Sequence, residues 1–186
     1  MEFGSLWWVV ILAAVAIWIA SSVVWMVLPH HKSDFGKLPD EDAAMAGSGA
    51  GAAPGQYRFP YCASMEDTKT EAFQEKQAKG PVGMLTLMPP GPFNMGKTMV
   101  TWFAYTLLVS FVVAYVARMT LMPGEECMKV FRVTTTVAFV AYSLQPLPDA
   151  IWMGRPWSTA FKTVCDGLAY ALITGGIFCW AWPDAA

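Results

Sequence analysis

Residues 6–28 read LWWVVILAAVAIWIASSVVWMVL and contain no charged side chain. A helix of about 20 apolar residues crosses the hydrocarbon core of a bilayer, which is roughly 30 Å thick. The stretch has no basic segment before it, is too long for the apolar part of a secretory leader and is followed by PHHK rather than by small residues. We therefore expect a retained transmembrane helix within residues 1–28 rather than a cleaved signal peptide.

Three further apolar stretches follow later in the chain. They run from Thr98 to Ala117, from Val133 to Pro148 and from Gly167 to Pro183, and charged residues flank them. The whole chain is 55% hydrophobic and only 14% charged, which is more apolar surface than a soluble domain of 186 residues can bury. The sequence thus predicts an all-α membrane protein with four transmembrane helices, the last three within residues 98–186.

The tryptophans agree with this arrangement. Trp is enriched at headgroup level on both faces of a bilayer. With four spans, the tryptophans on the side of the chain termini are Trp7, Trp8, Trp180 and Trp182. Those on the side of the long loop are Trp25, Trp102, Trp152 and Trp157. Only Trp18 falls at mid-depth.

Charge and cysteine content bear on the orientation. Lys and Arg near the helix ends are slightly more numerous on the loop side, so the positive-inside rule favours a cytoplasmic loop with both termini outside. The four cysteines suggest no disulfide framework. Cys62 and Cys127 fall on opposite sides of the membrane, and Cys165 and Cys179 lie about four turns apart on one helix.

Residues 29–97 form one long extramembrane loop. Its stretch Ala43–Gly55 consists mostly of Ala and Gly, which predicts a flexible linker. Ser64-Met-Glu-Asp67 has the form of a capping box and Gly80-Pro81 is a stop signal, so we expect a surface helix from about Met65 to Lys79. This helix has few large apolar side chains, and no second soluble domain is predicted.

The segment Gly91-Pro-Phe-Asn-Met-Gly-Lys-Thr98 formally matches the phosphate-binding P-loop pattern. That pattern works only between a buried parallel strand and a helix of an α/β domain, whereas the helix that follows here is a membrane span. We therefore expect no nucleotide binding, and the formal net charge of −2 argues against nucleic-acid binding. Gly96 and Lys97 could instead hold a lipid phosphate at the helix start, or Lys97 could only reach toward the headgroups.

Metal-ligating residue types occur near the first span. His30 and His31 follow the span directly, and Cys62 and Met65 lie in the loop. Together these four could bind copper or zinc. However, adjacent histidines outside a helix rarely point the same way and no ligand spacing recurs, so an ordinary interfacial role is the alternative. The sequence identifies no cofactor.

Four ionisable residues lie at the membrane edge between the third and fourth spans: Asp149, Arg155, Lys162 and Asp166. Lys162 and Asp166 are one helical turn apart and can pair, and Asp149 is near enough in the chain to pair with Arg155. Ionisable groups at membrane depth are costly and suggest a functional site such as an ion path. A structural corner, satisfied by pairing and water, is the alternative interpretation.

The fourth span carries a small residue at every fourth position, in the stripe Gly167, Ala171, Gly175 and Cys179. Small residues at this spacing let two helix backbones approach closely. The stripe could pack against another helix of the same chain or against a partner outside it.

Four motifs support a family resemblance. At Gly154-Arg-Pro-Trp-Ser-Thr159, Asp166-Gly-Leu-Ala-Tyr170 and Trp180-Ala-Trp-Pro183, together with Pro90-Gly-Pro-Phe-Asn-Met-Gly-Lys97, the chain resembles a family of small uncharacterised bacterial inner-membrane proteins. The likeness covers the chain from about Gly80 onward. It implies a multi-pass protein of the bacterial cytoplasmic membrane and assigns no catalytic or binding residue.

No motif establishes an enzymatic activity, and we expect a non-catalytic protein. The stripe, and a loop suited to draping over a partner, favour association in the membrane. An accessory subunit of a respiratory or photosynthetic complex is one form of it and self-association is another, with lipids as the remaining partners. Two alternatives stay open: a small oligomeric transporter or channel with the ionisable residues at its mouth, and a metal-handling protein that uses His30, His31 and Cys62.

Overall fold

The computed structural model describes residues 3–49 and 51–184, and the side chains of residues 5–47 and 51–184. Ala50 of the predicted linker and both chain ends, residues 1–2 and 185–186, lie outside the described part. The helices and the two antiparallel strands are α1 (Trp7–Ser22), α2 (Glu41–Gly49), β1 (Gly55–Phe59), α3 (Glu71–Lys79), β2 (Gly83–Leu87), α4 (Met95–Thr120), α5 (Cys127–Ser143), α6 (Pro146–Trp152) and α7 (Trp157–Trp180).

Four stretches of helix are long and apolar enough to cross a membrane: Trp7–Val27, Met95–Thr120, Cys127–Trp152 and Trp157–Trp180. This confirms the predicted all-α fold class with four spans. The third and fourth spans are longer than their apolar stretches because the helices continue outward through charged residues such as Lys129 and Lys162. Within the third span the helix is interrupted between Ser143 and Pro146, because proline cannot donate the hydrogen bond that would continue α5.

The contacts of the described residues divide into two units. The membrane unit has its described residues within Met1–Asp34, Asn94–Ala150 and Arg155–Ala186. In it α5 packs most extensively against α7, and α1 contacts both α4 and α7. Trp8 of α1 and Trp180 of α7 meet edge to face with ring centroids 6.2 Å apart, so the start of α1 lies beside the end of α7, as antiparallel spans require.

The interior of the membrane unit is mostly apolar, with several buried hydroxyl groups among the apolar side chains. Its largest fully buried apolar side chains are Leu6, Val9, Val10, Ile17, Val113, Val130 and Phe178. Large apolar side chains also cover the outside of the helices, including Ile11, Ile19, Leu108 and Val140. Because water would solvate such a surface poorly, lipid chains are the medium that suits it.

The small-residue stripe of α7 faces α5 inside the chain. A Cβ atom added at Gly167 would lie 2.6 Å from the carbonyl oxygen of Tyr142, and one added at Gly175 would overlap the Thr135 hydroxyl. At the neighbouring Gly176 no atom of the described chain lies within 4 Å of an added Cβ. The glycines therefore let α5 and α7 approach each other closely.

The same two helices are joined by a disulfide bond between Cys127 and Cys179, whose Cα atoms are 4.7 Å apart. The expectation that the cysteines form no disulfide was wrong. Antiparallel packing brings the start of α5, with Cys127, to the end of α7, with Cys179, a contact that spacing along the chain does not show. Cys62 and Cys165 are free thiols.

The loop unit comprises Phe35–Phe93 and Ile151–Gly154 and has more internal structure than the sequence predicts. The predicted flexible linker begins within the helix α2, because alanine is the strongest helix former. The Asp40 carboxylate also caps this helix, since it accepts a hydrogen bond from the Ala43 amide at 2.9 Å. The paired strands β1 and β2 were not predicted. They are separated in the chain by α3, so the sequence between them lacks the short turn that signals a hairpin.

The predicted helix from Met65 to Lys79 is interrupted. The capping box forms, since the Ser64 amide donates to Asp67 at 2.9 Å and the Asp67 amide donates to the Ser64 hydroxyl at 3.2 Å. It caps only a 3-10 turn, Asp67–Lys69, and Thr70 is extended before α3 starts at Glu71.

Candidate metal centre

Two histidines reach the same carboxylate at the end of the bundle where the first span gives way to the long loop, here called the loop end. His30 and His31 lie in a 3-10 turn, Pro29–His31, that directly follows the first span. His30 Nε2 is 3.1 Å from Asp166 Oδ1, and His31 Nε2 is 2.6 Å from Asp166 Oδ2. Contrary to the expectation for adjacent histidines, both rings point the same way, because the turn directs them toward Asp166 of α7.

The His31 ring is held on both edges and on one face. Its second nitrogen, Nδ1, is 2.6 Å from Asp34 Oδ2, so the ring bridges two carboxylates. Trp25 stacks on it with ring centroids 3.9 Å apart and planes 3° from parallel. Trp25 belongs to a π-helical turn, Val23–Val27, at the end of the first span. Such π-helical turns are rare in proteins, and many of those known occur at functional sites. The His31 side chain is only 5% exposed.

Lys162 of α7 fastens the turn that carries the histidines. Its ammonium donates to three oxygens, the His30 carbonyl at 2.7 Å, the Ser33 hydroxyl at 2.9 Å and Asp34 Oδ1 at 2.8 Å. The Asp34 side chain is itself only 2% exposed. Its hydrogen bond with the Lys162 ammonium lowers the pKa of the Asp34 carboxyl; burial opposes this, and His31 adds to the lowering.

The net charge of the cluster favours a bound cation. With both histidines neutral, the two carboxylates and the Lys162 ammonium sum to a charge of −1. A neutral imidazole has a single N–H, so His31 between two carboxylates needs a second proton, on its own ring or on a carboxyl oxygen. A metal ion at Nε2 could replace that proton, while Nδ1–H continues to donate to Asp34.

Three ligand atoms converge at this point. One atom each from His30, His31 and Asp166 lie within 4.8 Å of one another. A tetrahedral ion with bonds of about 2.0–2.1 Å separates its ligands by about 3.4 Å, so modest side-chain rotations would bring these atoms to bonding distance. Asp34 then completes the carboxylate–histidine–metal arrangement that commonly surrounds a protein metal ion.

The ionisable residues at the membrane edge are distributed differently from the prediction. The expected pairing of Lys162 with Asp166 is wrong: Lys162 pairs with Asp34, and Asp166 faces the histidines. These two residues of α7 point to separate partners because the turn after the first span lies against them. Arg155 and Asp149 do meet, at 4.0 Å, and form a more exposed pair outside the histidine cluster.

The other predicted metal ligands are placed in the loop unit. Cys62 lines a shallow open pocket there, and Met65 is 80% exposed. The side chains against His30 and His31 are carboxylates and an aromatic ring. Sequence reasoning missed Asp34, although it follows His31 by three residues, the spacing that brings two side chains together on one helical turn.

The lipid-phosphate candidate lies at the start of α4. The Asn94 side chain caps this helix and accepts the Lys97 amide at 2.9 Å. One of the amides proposed for an anion is therefore already used, which leaves the Gly96 amide and the Lys97 ammonium for that hypothesis.

Comparison of the chain with protein-family models, with curated proteins and with solved structures finds no match. The resemblance to bacterial inner-membrane proteins stays a prediction. What the protein binds must be inferred from the chemistry of its own residues.

Proposed function

We propose that this multi-pass membrane protein binds a divalent transition-metal ion, with zinc as the best match, through His30, His31 and Asp166. The observation that carries the proposal is the position of His31. One of its nitrogens faces the other two ligands and the second is fixed by the buried Asp34. A carboxylate in that position sets the tautomer and the orientation of a metal-binding histidine.

The ligand chemistry narrows the choice of metal. Two imidazole nitrogens and a carboxylate suit zinc and other divalent first-row ions, whereas copper(I) prefers sulfur. Three protein ligands also leave a fourth position open for water or another ligand, unlike closed structural zinc sites. Because the His30 side chain is 32% exposed, an ion can reach this position from the aqueous side. These features favour exchangeable binding over a permanent structural ion.

The decisive experiment is a zinc titration of the purified protein in detergent, with an affinity tag that contains no histidine. A competing chromophoric chelator reports the binding. We expect one zinc per chain in the parent protein and no such binding in Asp166→Asn. Asp149→Asn is the matched control, because Asp149 is another carboxylate at the membrane edge outside the cluster, and it should bind zinc like the parent.

The supporting carboxylate gives a graded test. Asp34→Asn keeps all three ligands but loses the charge that orients His31, so zinc affinity should fall by about 10- to 100-fold. Thermal unfolding of each variant without zinc shows whether the fold survives. The proposal is overturned if the parent does not bind zinc, or if folded Asp166→Asn and Asp149→Asn bind it equally well.

We further infer that the protein lies in a bacterial cytoplasmic membrane with the metal site on the cytoplasmic side. The disulfide between Cys127 and Cys179 supports this orientation, because disulfides form and persist in oxidising compartments outside the cytoplasm. It lies at the opposite end of the bundle, called the terminus end, where α1 begins and α7 ends. The excess of Lys and Arg on the loop side independently favours the same orientation.

Cysteine labelling tests the orientation. With Cys62 and Cys165 replaced by Ser, a cysteine is introduced either at Ser64 in the loop or at Asp184 near the C-terminus. A membrane-impermeant maleimide should label Asp184→Cys in intact spheroplasts, and Ser64→Cys only after permeabilisation. The reverse pattern would refute the orientation, and labelling of both in intact spheroplasts would refute the topology.

Association with other membrane subunits or with itself remains a proposal of lower rank. Its main support was the stripe on α7, and Gly167 and Gly175 of that stripe pack against α5. No other surface feature on the described residues points to a particular partner.

A further inference from the structure

Five buried hydroxyl groups in the spans have no hydrogen-bond partner among the described residues. Four of them come from three different helices: Ser110 of α4, Tyr142 and Ser143 of α5, and Tyr170 of α7. The fifth, Thr135, lies on the α5 surface that contacts Gly175. An unpaired hydroxyl inside a membrane protein costs free energy, because hydrocarbon offers no substitute hydrogen bond. Four such groups close together therefore need an explanation.

The four hydroxyls are neighbours and lead inward from the loop end. The Tyr142 and Tyr170 rings meet edge to face with centroids 5.9 Å apart. The Tyr142 hydroxyl lies near that of Ser110, and the Tyr170 hydroxyl lies near the Trp25 indole, but neither contact has hydrogen-bond geometry. Ser143 lies against Gly167, the residue that follows Asp166 in α7. Tyr170 is one helical turn beyond Asp166 in α7.

The position of Ser110 along α4 shows how far these hydroxyl groups reach into the membrane. Ser110 lies 15 residues after Met95 and 10 residues before Thr120. At 1.5 Å per residue these intervals are about 22 Å and about 15 Å, which places Ser110 near the middle of the span. Toward the terminus end, Val113, Val130 and Phe178 are fully buried apolar residues. The four hydroxyl groups thus extend from the loop end to mid-membrane, and the three apolar residues beyond them are here called the apolar layer.

We propose that Ser110, Tyr142, Ser143 and Tyr170 line a water-filled path that opens beside Asp166 and ends at this apolar layer. Water is the occupant that suits them, because it can donate to and accept from several hydroxyls at once, and buried waters typically bind two to four polar groups. The four groups carry no charge that would select an ion. The path goes beyond metal binding and does not depend on it. A polar entrance of this kind is also what a transporter would need at its loop side.

Cysteine reactivity tests the path in the zinc-free, full-length protein, with Cys62 and Cys165 replaced by Ser. Ser110→Cys and Ser143→Cys place a thiol on the path. Ala114→Cys and Ala138→Cys are the matched controls, on the same two helices at fully buried positions. Because only a hydrated thiol ionises readily, the path cysteines should react with 2-aminoethyl methanethiosulfonate at least about tenfold faster than the controls. Equal rates, or no reaction at any of the four, would overturn the proposal.

Removal of single hydroxyls gives an independent test, which also serves if a cysteine variant fails to fold. If water pairs with the hydroxyls, Tyr142→Phe and Tyr170→Phe should each lower the Tm in detergent, because a hydrogen bond is lost. If the hydroxyls are dry and unpaired, their removal should leave the Tm unchanged or raise it, which would refute the path. Tyr115→Phe, on the exposed face of α4, is the control.

Discussion

Two lysine–carboxylate pairs stand at opposite ends of the bundle with the same nitrogen–oxygen distance of 2.8 Å: Lys162 with Asp34, and Lys129 with Glu125. Their surroundings differ. At the loop end the Asp34 side chain is 2% exposed and also contacts His31, whereas at the terminus end Lys129 is 57% exposed and its pair is local to one helical turn. The contributions of the two pairs to stability therefore cannot be ranked by distance; they are ranked by burial and by the other partners of each carboxylate.

The difference also separates the roles of the two ends. The terminus end is held by a disulfide and by close helix packing, so its ion pair is accessory. The loop end has no covalent link among the described residues and relies on a buried network that includes two histidines. Buried charges that are retained in this way are expensive to keep, and in membrane proteins they mark functional sites.

The largest effect should come from the covalent link at the terminus end. Cys127→Ser opens the disulfide, which should reduce the free energy of unfolding by about 2–4 kcal/mol because the unfolded chain regains freedom. Thermal unfolding in detergent without reductant measures this. Cys165→Ser removes a free thiol and should leave the Tm unchanged. If the two variants unfold at the same temperature, the disulfide does not hold this end.

Close packing of α5 and α7 should matter nearly as much. In Gly175→Leu the new side chain would overlap Thr135, and overpacking typically costs about 1–3 kcal/mol. Gly176→Leu adds the same volume one residue further along, into open space, and should be tolerated. Their relative Tm values decide the matter, and a larger loss for Gly176→Leu would contradict the observed packing.

The loop-end pair should contribute more than its counterpart. Lys162→Met leaves the buried Asp34 without its ammonium partner, and an unsatisfied buried polar group costs about 1–3 kcal/mol. The same variant should weaken zinc binding, because the turn that carries both histidines is no longer fastened to α7. A Tm equal to that of the parent would show that water replaces the ammonium without loss.

The smallest effect belongs to the exposed pair. Lys129→Met should leave the Tm within the scatter of repeated measurements, since exposed ion pairs contribute little and salt screens them. Adding salt to the parent protein should likewise cause no measurable change in Tm through this pair. A loss comparable to that of Lys162→Met would refute the ranking by burial.

The candidate site shows where sequence reasoning reaches its limit. The histidines were visible as possible ligands, and Asp166 was visible as a costly charge near the membrane. Nothing in the sequence joins them, because they are 135 and 136 residues apart and their meeting depends on how α7 packs beside the end of the first span. For the same reason Lys162 was paired with its helical neighbour rather than with Asp34. Local spacing identifies candidate partners, and packing selects among them.

The amino-acid sequence by itself determined that this chain has four transmembrane helices. Long apolar stretches bounded by charged residues are stable as helices across a lipid bilayer, whichever helices pack beside them. The tertiary structure alone decided which polar groups meet: the cysteines of α5 and α7, the ring of His31 with two carboxylates, and the hydroxyls that face one another between helices. Those contacts depend on the antiparallel register and rotation of packed helices, which depend on the side chains of several spans at once and cannot be read from any one of them.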